Sequence, residues 1–288
     1  MLMVLLSIMC HVIIETINPK SINMNEFCKK IKLPGLEIFT KRITQQATRA
    51  NAPTLVFLHE GLGSIELWKE FPRQLCEATG LEGFLYDRQG YGKSSPMQQE
   101  RSTNYLNEEA WGILPMLLDK ADIQNVILVG HSDGGTIALL FAGRFPERVS
   151  GVISEAAHVF VEEETIRGVQ DARLSYQLTN LRSRLAPYHG DKTSALFDFW
   201  SKTWLSPDFR NWNIEGELQN VRCPVLAIHG TEDRYGTQRQ VRSIVDKTAG
   251  RAEELVVYGG SHTPHAHKDD VLPSMKTFVE RVLAEMPS

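Results

Sequence analysis

Short apolar runs alternate with helix-length amphipathic segments along most of this chain. That alternation predicts a mostly parallel sheet with helices on both faces. The runs lie at 36–43 (LEIFTKRI), 54–59 (TLVFLH), 83–87 (GFLYD), 126–130 (VILVG), 149–154 (VSGVIS), 224–230 (PVLAIHG) and 254–260 (ELVVYGG). Most are continuous Val, Ile, Leu and Phe without polar alternation, as expected for strands buried on both faces. Helices are predicted over TNYLNEEAWGILPMLLDKA, GTIALLFAGRF, TQRQVRSIVDKTAG and the closing DVLPSMKTFVERVLAEM. The fold class is therefore α/β. Strand signals stop after residue 154, and the stretch 155–220 carries aromatic and charged residues at helical spacing (VEEETIRGVQDARLSYQLTNLRSRL, then SALFDFWSKTWL). It reads as a helical insertion into a core formed by 25–154 and 221–288, with no Gly/Ser linker dividing the chain.

Composition narrows the function classes. With 288 residues, 42% of them hydrophobic, the chain can bury a full core, which excludes a disordered or fibrous protein. Against 35 Asp and Glu stand 31 Lys and Arg, a formal charge of −4, so no basic excess exists to neutralise a phosphate backbone and nucleic-acid binding is disfavoured. The four cysteines form no C-x-x-C pair and no closely spaced framework, which predicts a reducing, cytoplasmic home. Residues 1–24 are expected to be an N-terminal extension. MLMVLLSIMCHVII is short of the roughly 20 residues a span needs and lacks a basic start and a cleavage site. It reads as a poor membrane anchor or an aberrant extension, with Met24 opening the soluble domain.

The sharpest chemical signal is GHSDGG at 130–135, a G-x-S-x-G directly after a predicted strand and directly before a predicted helix. A tight strand-to-helix turn exposes the Ser132 hydroxyl, and the flanking glycines are needed because a Cβ there would collide with backbone. The helix that follows aims its N-terminal amides and positive dipole end at the same spot. A serine is a poor nucleophile at its own pKa. It needs a base, and the base needs an orienting carboxylate. Asp233 follows the strand ending at Gly230, and His262 follows the last predicted strand, so both reach the carboxyl edge where Ser132 sits.

With these residues in the order Ser132, Asp233, His262, the chain resembles the α/β-hydrolase superfamily from about residue 33 onward. Two further segments carry the likeness: LHEGLGS (58–64), similar to the family's His-Gly oxyanion loop, and YDRQGYGKS (86–94), similar to its D-x-x-G-x-G-x-S segment. The resemblance implies an eight-stranded sheet, a helical cap between strands six and seven, and hydrolysis through an acyl-enzyme. It also implies an oxyanion hole built from the backbone N–H of Asp133 and of Gly61 or Leu62. The loop reads His59-Glu60-Gly61-Leu62-Gly63, one residue longer than the family's usual form, and Glu60 stands as a secondary candidate, either water-orienting or structural. Glu155, at the end of the preceding strand, is a second candidate for the triad acid. Superfamily members that act on halides or epoxides use an Asp at the elbow, so Ser132 points to acyl chemistry.

Rival sites are weaker. S-H-T-P-H-A-H offers His262, His265 and His267 to a metal, but Pro264 breaks any helix that would align the rings. KS in DRQGYGKS lacks P-loop spacing, and no G-x-G-x-x-G follows the first strand, so no cofactor is expected. His59 and His131 are read as loop and packing residues, and Trp200, Trp204, Trp212, Phe197 and Phe199 as either an acyl pocket or the core of the insertion. The expectation is a serine hydrolase of a small carboxylic ester, thioester or lactone, acting on a small-molecule partner. Hydrolytic cleavage of a C–C bond in a β-diketone-like compound and slow-turnover ligand sensing are the alternatives.

Overall fold

The computed structural model describes residues 24–45, 52–97 and 99–286. The N-terminal extension up to residue 23 lies outside the described residues. Eight strands form one sheet in the order β1-β2-β4-β3-β5-β6-β7-β8. They are β1 (Met24–Leu33), β2 (Leu36–Gln45), β3 (Thr54–Leu58), β4 (Gly83–Tyr86), β5 (Val126–His131), β6 (Val149–Glu155), β7 (Val225–Gly230) and β8 (Ala252–Val257). The strands from β4 through β8 pair in parallel, and β1–β2–β4 pair antiparallel at one edge.

The continuous apolar runs have a direct physical reading. Successive side chains of a strand point to opposite faces. Leu55, Phe57, Ile127 and Val129 pack on one face with α1 (Phe71–Thr79) and α10 (Lys268–Glu285). Val56, Leu58, Val126 and Leu128 pack on the other, against α2 (Tyr105–Glu108), α3 (Leu114–Lys120) and α4 (Asp133–Arg144). Each such side chain, fully removed from water, stabilises the fold by about 1.5–3 kcal/mol before entropy is counted.

Between β6 and β7 the chain forms α5 (Glu163–Leu178), α6 (Leu181–His189), α7 (Thr193–Leu205) and α8 (Glu215–Leu218), and α9 (Gln238–Lys247) follows β7. The structure adds two elements to those predicted. β1 is exposed over most of its length, so it carries no apolar run, and its signal is the Pro34-Gly35 turn that joins it to β2. α1 spans nine residues with Pro72 at its start, too short for helical periodicity to register.

From β3 the chain turns to β4 on one side and returns to β5 on the other, so a crevice opens beyond the carboxyl ends of β3 and β5. A larger open groove of about 710 Å³ lies at the opposite edge, between Thr54, Asn125 and Ser150, and holds none of the candidate site residues.

Candidate active site

Ser132 sits between β5 and α4 with φ 52° and ψ −117°, a conformation that L-residues avoid and that persists only where the surroundings impose it. Its N–H donates to the Glu155 carbonyl (2.8 Å), and its carbonyl accepts from the Thr136 N–H (3.1 Å). The two motif glycines are demanded by space: a Cβ on Gly134 would run into the Leu58 carbonyl, and one on Gly130 into the Gly134 backbone. The elbow is thus wedged against the end of β3, which is what brings its hydroxyl beside the loop that follows β3.

Asp233 and His262 leave the ends of β7 and β8 and meet that hydroxyl. His262 Nε2 lies 2.9 Å from Ser132 Oγ, and His262 Nδ1 lies 2.9 Å from each carboxylate oxygen of Asp233. Burial alone would raise the Asp233 pKa. The adjacent His262 and the Tyr235 N–H, which donates to Oδ1 at 2.8 Å, outweigh it and hold the carboxyl at about 2. An ionised Asp233 accepting from Nδ1–H leaves Nε2 free to take the serine proton.

Glu155 is not brought to His262. Its Oε2 accepts from His265 Nδ1 at 2.6 Å, under the stacked rings of Trp68 and Phe71. The sequence offered both carboxylates. The structure spends Glu155 on a buried histidine, and Asp233 alone faces His262. The three histidines of the S-H-T-P-H-A-H stretch are likewise not drawn together, since His262 turns to Asp233 and His265 to Glu155.

The loop after β3 is held from several sides. His59 Nδ1 donates to the Glu60 carbonyl (2.8 Å), and its Nε2 accepts from the Arg88 N–H (3.1 Å). Burial and the Arg88 charge keep that ring neutral, well below the usual imidazole pKa. The D-x-x-G-x-G-x-S segment works as a clamp: Asp87 accepts from the N–H groups of Ile65 and Lys93, both at 2.8 Å. Arg88 reaches the Glu60 carbonyl (2.8 Å) and the Asp133 carboxylate (3.2 Å), and Tyr105 OH donates to the same carboxylate (3.0 Å). The loop and the elbow are therefore fastened to one buried guanidinium. Gly61, Leu62 and Asp133 line the cavity at Ser132, and among the described residues the Gly61 and Leu62 amides make no hydrogen bond. Asp133 opens α4, so its N–H has no acceptor within the helix.

Glu60 points beneath the elbow, its Oε2 3.5 Å from His131 Nδ1, an ion-pair contact rather than a well-formed hydrogen bond. Burial opposes charge on Glu60, but His131 outweighs it and brings the carboxyl to about 2. In return, and also against burial, Glu60 raises the His131 pKa. His131 Nε2 donates to the His262 carbonyl at 2.6 Å, so this pair supports the backbone of the candidate base.

A small cavity of about 90 Å³ opens on Ser132 and His262, walled by Leu62, Val169, Trp200, Trp204 and Tyr235. The insertion thus supplies both tryptophans, and Trp204 Nε1 also donates to Tyr105 OH at 3.1 Å. Sequence reasoning passed over His158, Thr165 and Tyr235 in this wall. His158, three residues beyond β6 at the carboxyl edge, had a positional signal, whereas Thr165 on a helix of the insertion had none.

An eight-stranded α/β sheet with a serine elbow at its switch point is the architecture of the alpha/beta hydrolase fold. The chain matches that family over residues 53–222 and belongs to it. It is 35% identical over 220 residues to a 2-hydroxy-6-oxononadienedioate/2-hydroxy-6-oxononatrienedioate hydrolase of Cupriavidus pinatubonensis (strain JMP 134 / LMG 1197), covering 67% of this chain and 75% of that protein. With the mouse (Mus musculus) serine hydrolase BPHL it shares 28% identity over 158 residues, 51% of this chain and 52% of that one. Among solved structures, the 2-hydroxy-6-oxo-6-phenylhexa-2,4-dienoate hydrolase of Rhodococcus sp. strain RHA1 superposes with a TM-score of 0.73 at 17% identity, over 90% of this chain and all (100%) of that one. The enol-lactonase of Burkholderia xenovorans LB400 does so at 0.64 and 19%, over 89% and 100%. The chain is a hydrolase of this fold. Among the described residues no helix is long and apolar enough to cross a membrane.

Proposed function

We propose that the protein is a serine hydrolase that cleaves a small, uncharged carboxylic ester, thioester or lactone through an acyl-enzyme. The carrying observation is the run of 2.9 Å contacts from Asp233 through His262 to Ser132 Oγ at the floor of a cavity of about 90 Å³. In this reading His262 Nε2 takes the Ser132 proton as Oγ attacks the carbonyl carbon, and Asp233 stabilises the imidazolium. The N–H groups of Asp133 and of Gly61 or Leu62 receive the oxyanion. The imidazolium protonates the leaving alcohol, thiol or lactone oxygen, and water then cleaves the acyl-enzyme by the reverse transfers. The helices between β6 and β7 act as the cap that excludes water.

The second reading, hydrolysis of a C–C bond, is favoured by the name of the Cupriavidus relative. A dienedioate carries two carboxylates, which need cations or many N–H donors to leave water. Among the described residues the cavity wall holds the acidic Glu60 and Asp133 and no Lys or Arg, so an uncharged ester fits it better. Its volume, well below the roughly 300–1,000 Å³ of drug-sized pockets, favours a short acyl group.

The test is hydrolysis of p-nitrophenyl esters from acetate to octanoate by wild type, Ser132→Ala and His262→Ala, with and without EDTA, beside a 2-hydroxy-6-oxo-dienedioate. Activity should be highest on the short esters, insensitive to EDTA, and lower by about 10³-fold or more in both variants. Equal turnover by wild type and variants, or turnover of the dienedioate alone, would overturn the reading.

A further inference from the structure

Two buried polar atoms in the cavity wall have no partner among the described residues: His158 Nδ1 and Thr165 Oγ1 make no hydrogen bond there, although the residues are only 4% and 1% exposed. Both line the cavity that opens on Ser132. A buried polar group without a partner is costly, and two that line one cavity beside Ser132 are placed to be satisfied by whatever enters it.

The chemistry each atom offers is fixed by its surroundings. His158 Nε2 lies 3.0 Å from the Tyr235 carbonyl, which can only accept, so Nε2 carries the proton and Nδ1 of the neutral ring is an acceptor. Burial and the nearby His262 lower the His158 pKa, in keeping with a neutral ring. The ring is held in place edge-on to Trp204 at 5.2 Å, and the residue's own carbonyl accepts from Thr136 Oγ1 at 2.6 Å. Thr165 stands in the first turn of α5, one helical turn before Val169, another residue of the wall. Its hydroxyl both donates and accepts. An acceptor and a hydroxyl in a wall that, among the described residues, holds no Lys or Arg suit a neutral group that itself donates and accepts, and the smallest such group is a hydroxyl.

We propose that His158 Nδ1 and Thr165 Oγ1 form a polar subsite that selects hydroxyl-bearing esters or lactones: the substrate hydroxyl donates to His158 and accepts from Thr165. This rests on the ester-hydrolase reading above and adds to it the class of substrate. An ester that puts a methyl where the hydroxyl belongs leaves both atoms desolvated and unpaired, which is how a hydrogen-bonding site rejects an isostere.

The experiment compares isosteric pairs. On the acyl side, ethyl 3-hydroxybutanoate is set against ethyl 3-methylbutanoate. On the alcohol side, 2-hydroxyethyl butanoate is set against propyl butanoate. The readout is the ratio of kcat/KM within each pair, which a general loss of activity does not move, measured for wild type, Thr165→Val and His158→Gln. Wild type should prefer the hydroxylated member of one pair by about tenfold or more, and the preference should collapse toward unity in Thr165→Val, a near-isosteric change. His158→Gln provides a second route to the same loss should either variant fold poorly. A wild-type ratio near one in both pairs, or a preference that survives in both variants, overturns the subsite while leaving the ester reading standing. No turnover of any of the four esters by wild type overturns the ester reading, and the subsite falls with it.

Discussion

At the scale of single residues, the site rests on charges held under the elbow. The Glu60 and His131 shifts have opposite signs, and each fixes one end of a pH window. Glu60 is depressed from 4.5 to about 2, so its contribution to stability is complete above 4.5 and is lost as pH falls through about 2. His131 is raised above its ordinary 6.5, so its contribution is complete below 6.5 and is lost as pH rises through the elevated value. Glu155 adds to the elevation, and the His262 carbonyl, which accepts from Nε2, also favours the protonated ring. The pair therefore stabilises the fold most between 4.5 and 6.5. Glu60→Gln should lower unfolding free energy at pH 5.5 by about 1–3 kcal/mol, with the loss shrinking toward pH 9. Urea unfolding across that range checks it, and a loss independent of pH would show that the carboxylate serves packing alone.

At the scale of elements, α4 and β3 approach so closely that residue 134 can carry no side chain. Gly134→Ala would press a Cβ onto the Leu58 carbonyl, backbone that cannot move without breaking the β3–β5 ladder. It should cost about 3 kcal/mol or more, or abolish soluble expression. Among the described residues, Gly112, in the π-turn Glu109–Ile113 that joins α2 to α3, would meet nothing within 4 Å if it carried a Cβ. There Gly112→Ala should stabilise by about 0.5–1 kcal/mol, and thermal melts of the two variants should move in opposite directions. The contrast shows what a sequence can reveal. Gly134 was legible because G-x-S-x-G ties a residue type to a known crowding, and the seven apolar runs were legible because burial on both faces removes polar alternation. β1 stayed hidden because an exposed edge strand leaves no apolar trace. In the candidate site, the meeting of Ser132, His262 and Asp233 was legible from motif and chain order. The parts of Arg88, Tyr105 and Thr165 were not, because their roles depend on which side chains meet across distant parts of the chain and leave no local pattern, and His158 offered only its place beyond β6.

At the scale of the whole molecule, the decisive question is how a helical insertion is kept in register with the sheet beneath it. Two residues at the junction of α6 and α7 fasten it to the loops beside Ser132. His189 Nδ1 accepts from the Gly92 N–H (3.1 Å), and its Nε2 donates to the Leu62 carbonyl (3.0 Å), so one neutral ring bridges the D-x-x-G-x-G-x-S segment and the loop beside Ser132. Lys192 Nζ donates to the carbonyls of Tyr91, Gly92 and Ser94 at 3.2, 2.7 and 2.6 Å. Among the described residues that half-buried ammonium bonds only to carbonyl oxygens, and burial lowers its pKa. These contacts tie the insertion to the same loops that Arg88 ties to the elbow, so the cavity wall and its floor share one network. Lys192→Met removes the charge and keeps the apolar stem. It should free the insertion locally, with amide exchange rising about tenfold or more in 193–205 and at Gly63, whose N–H donates to the Glu60 carbonyl, and staying unchanged in the strands β5 and β7. Exchange that rises equally in the strands would mean that insertion and sheet open as one unit, and the wall over Ser132 could then move only when the whole domain unfolds.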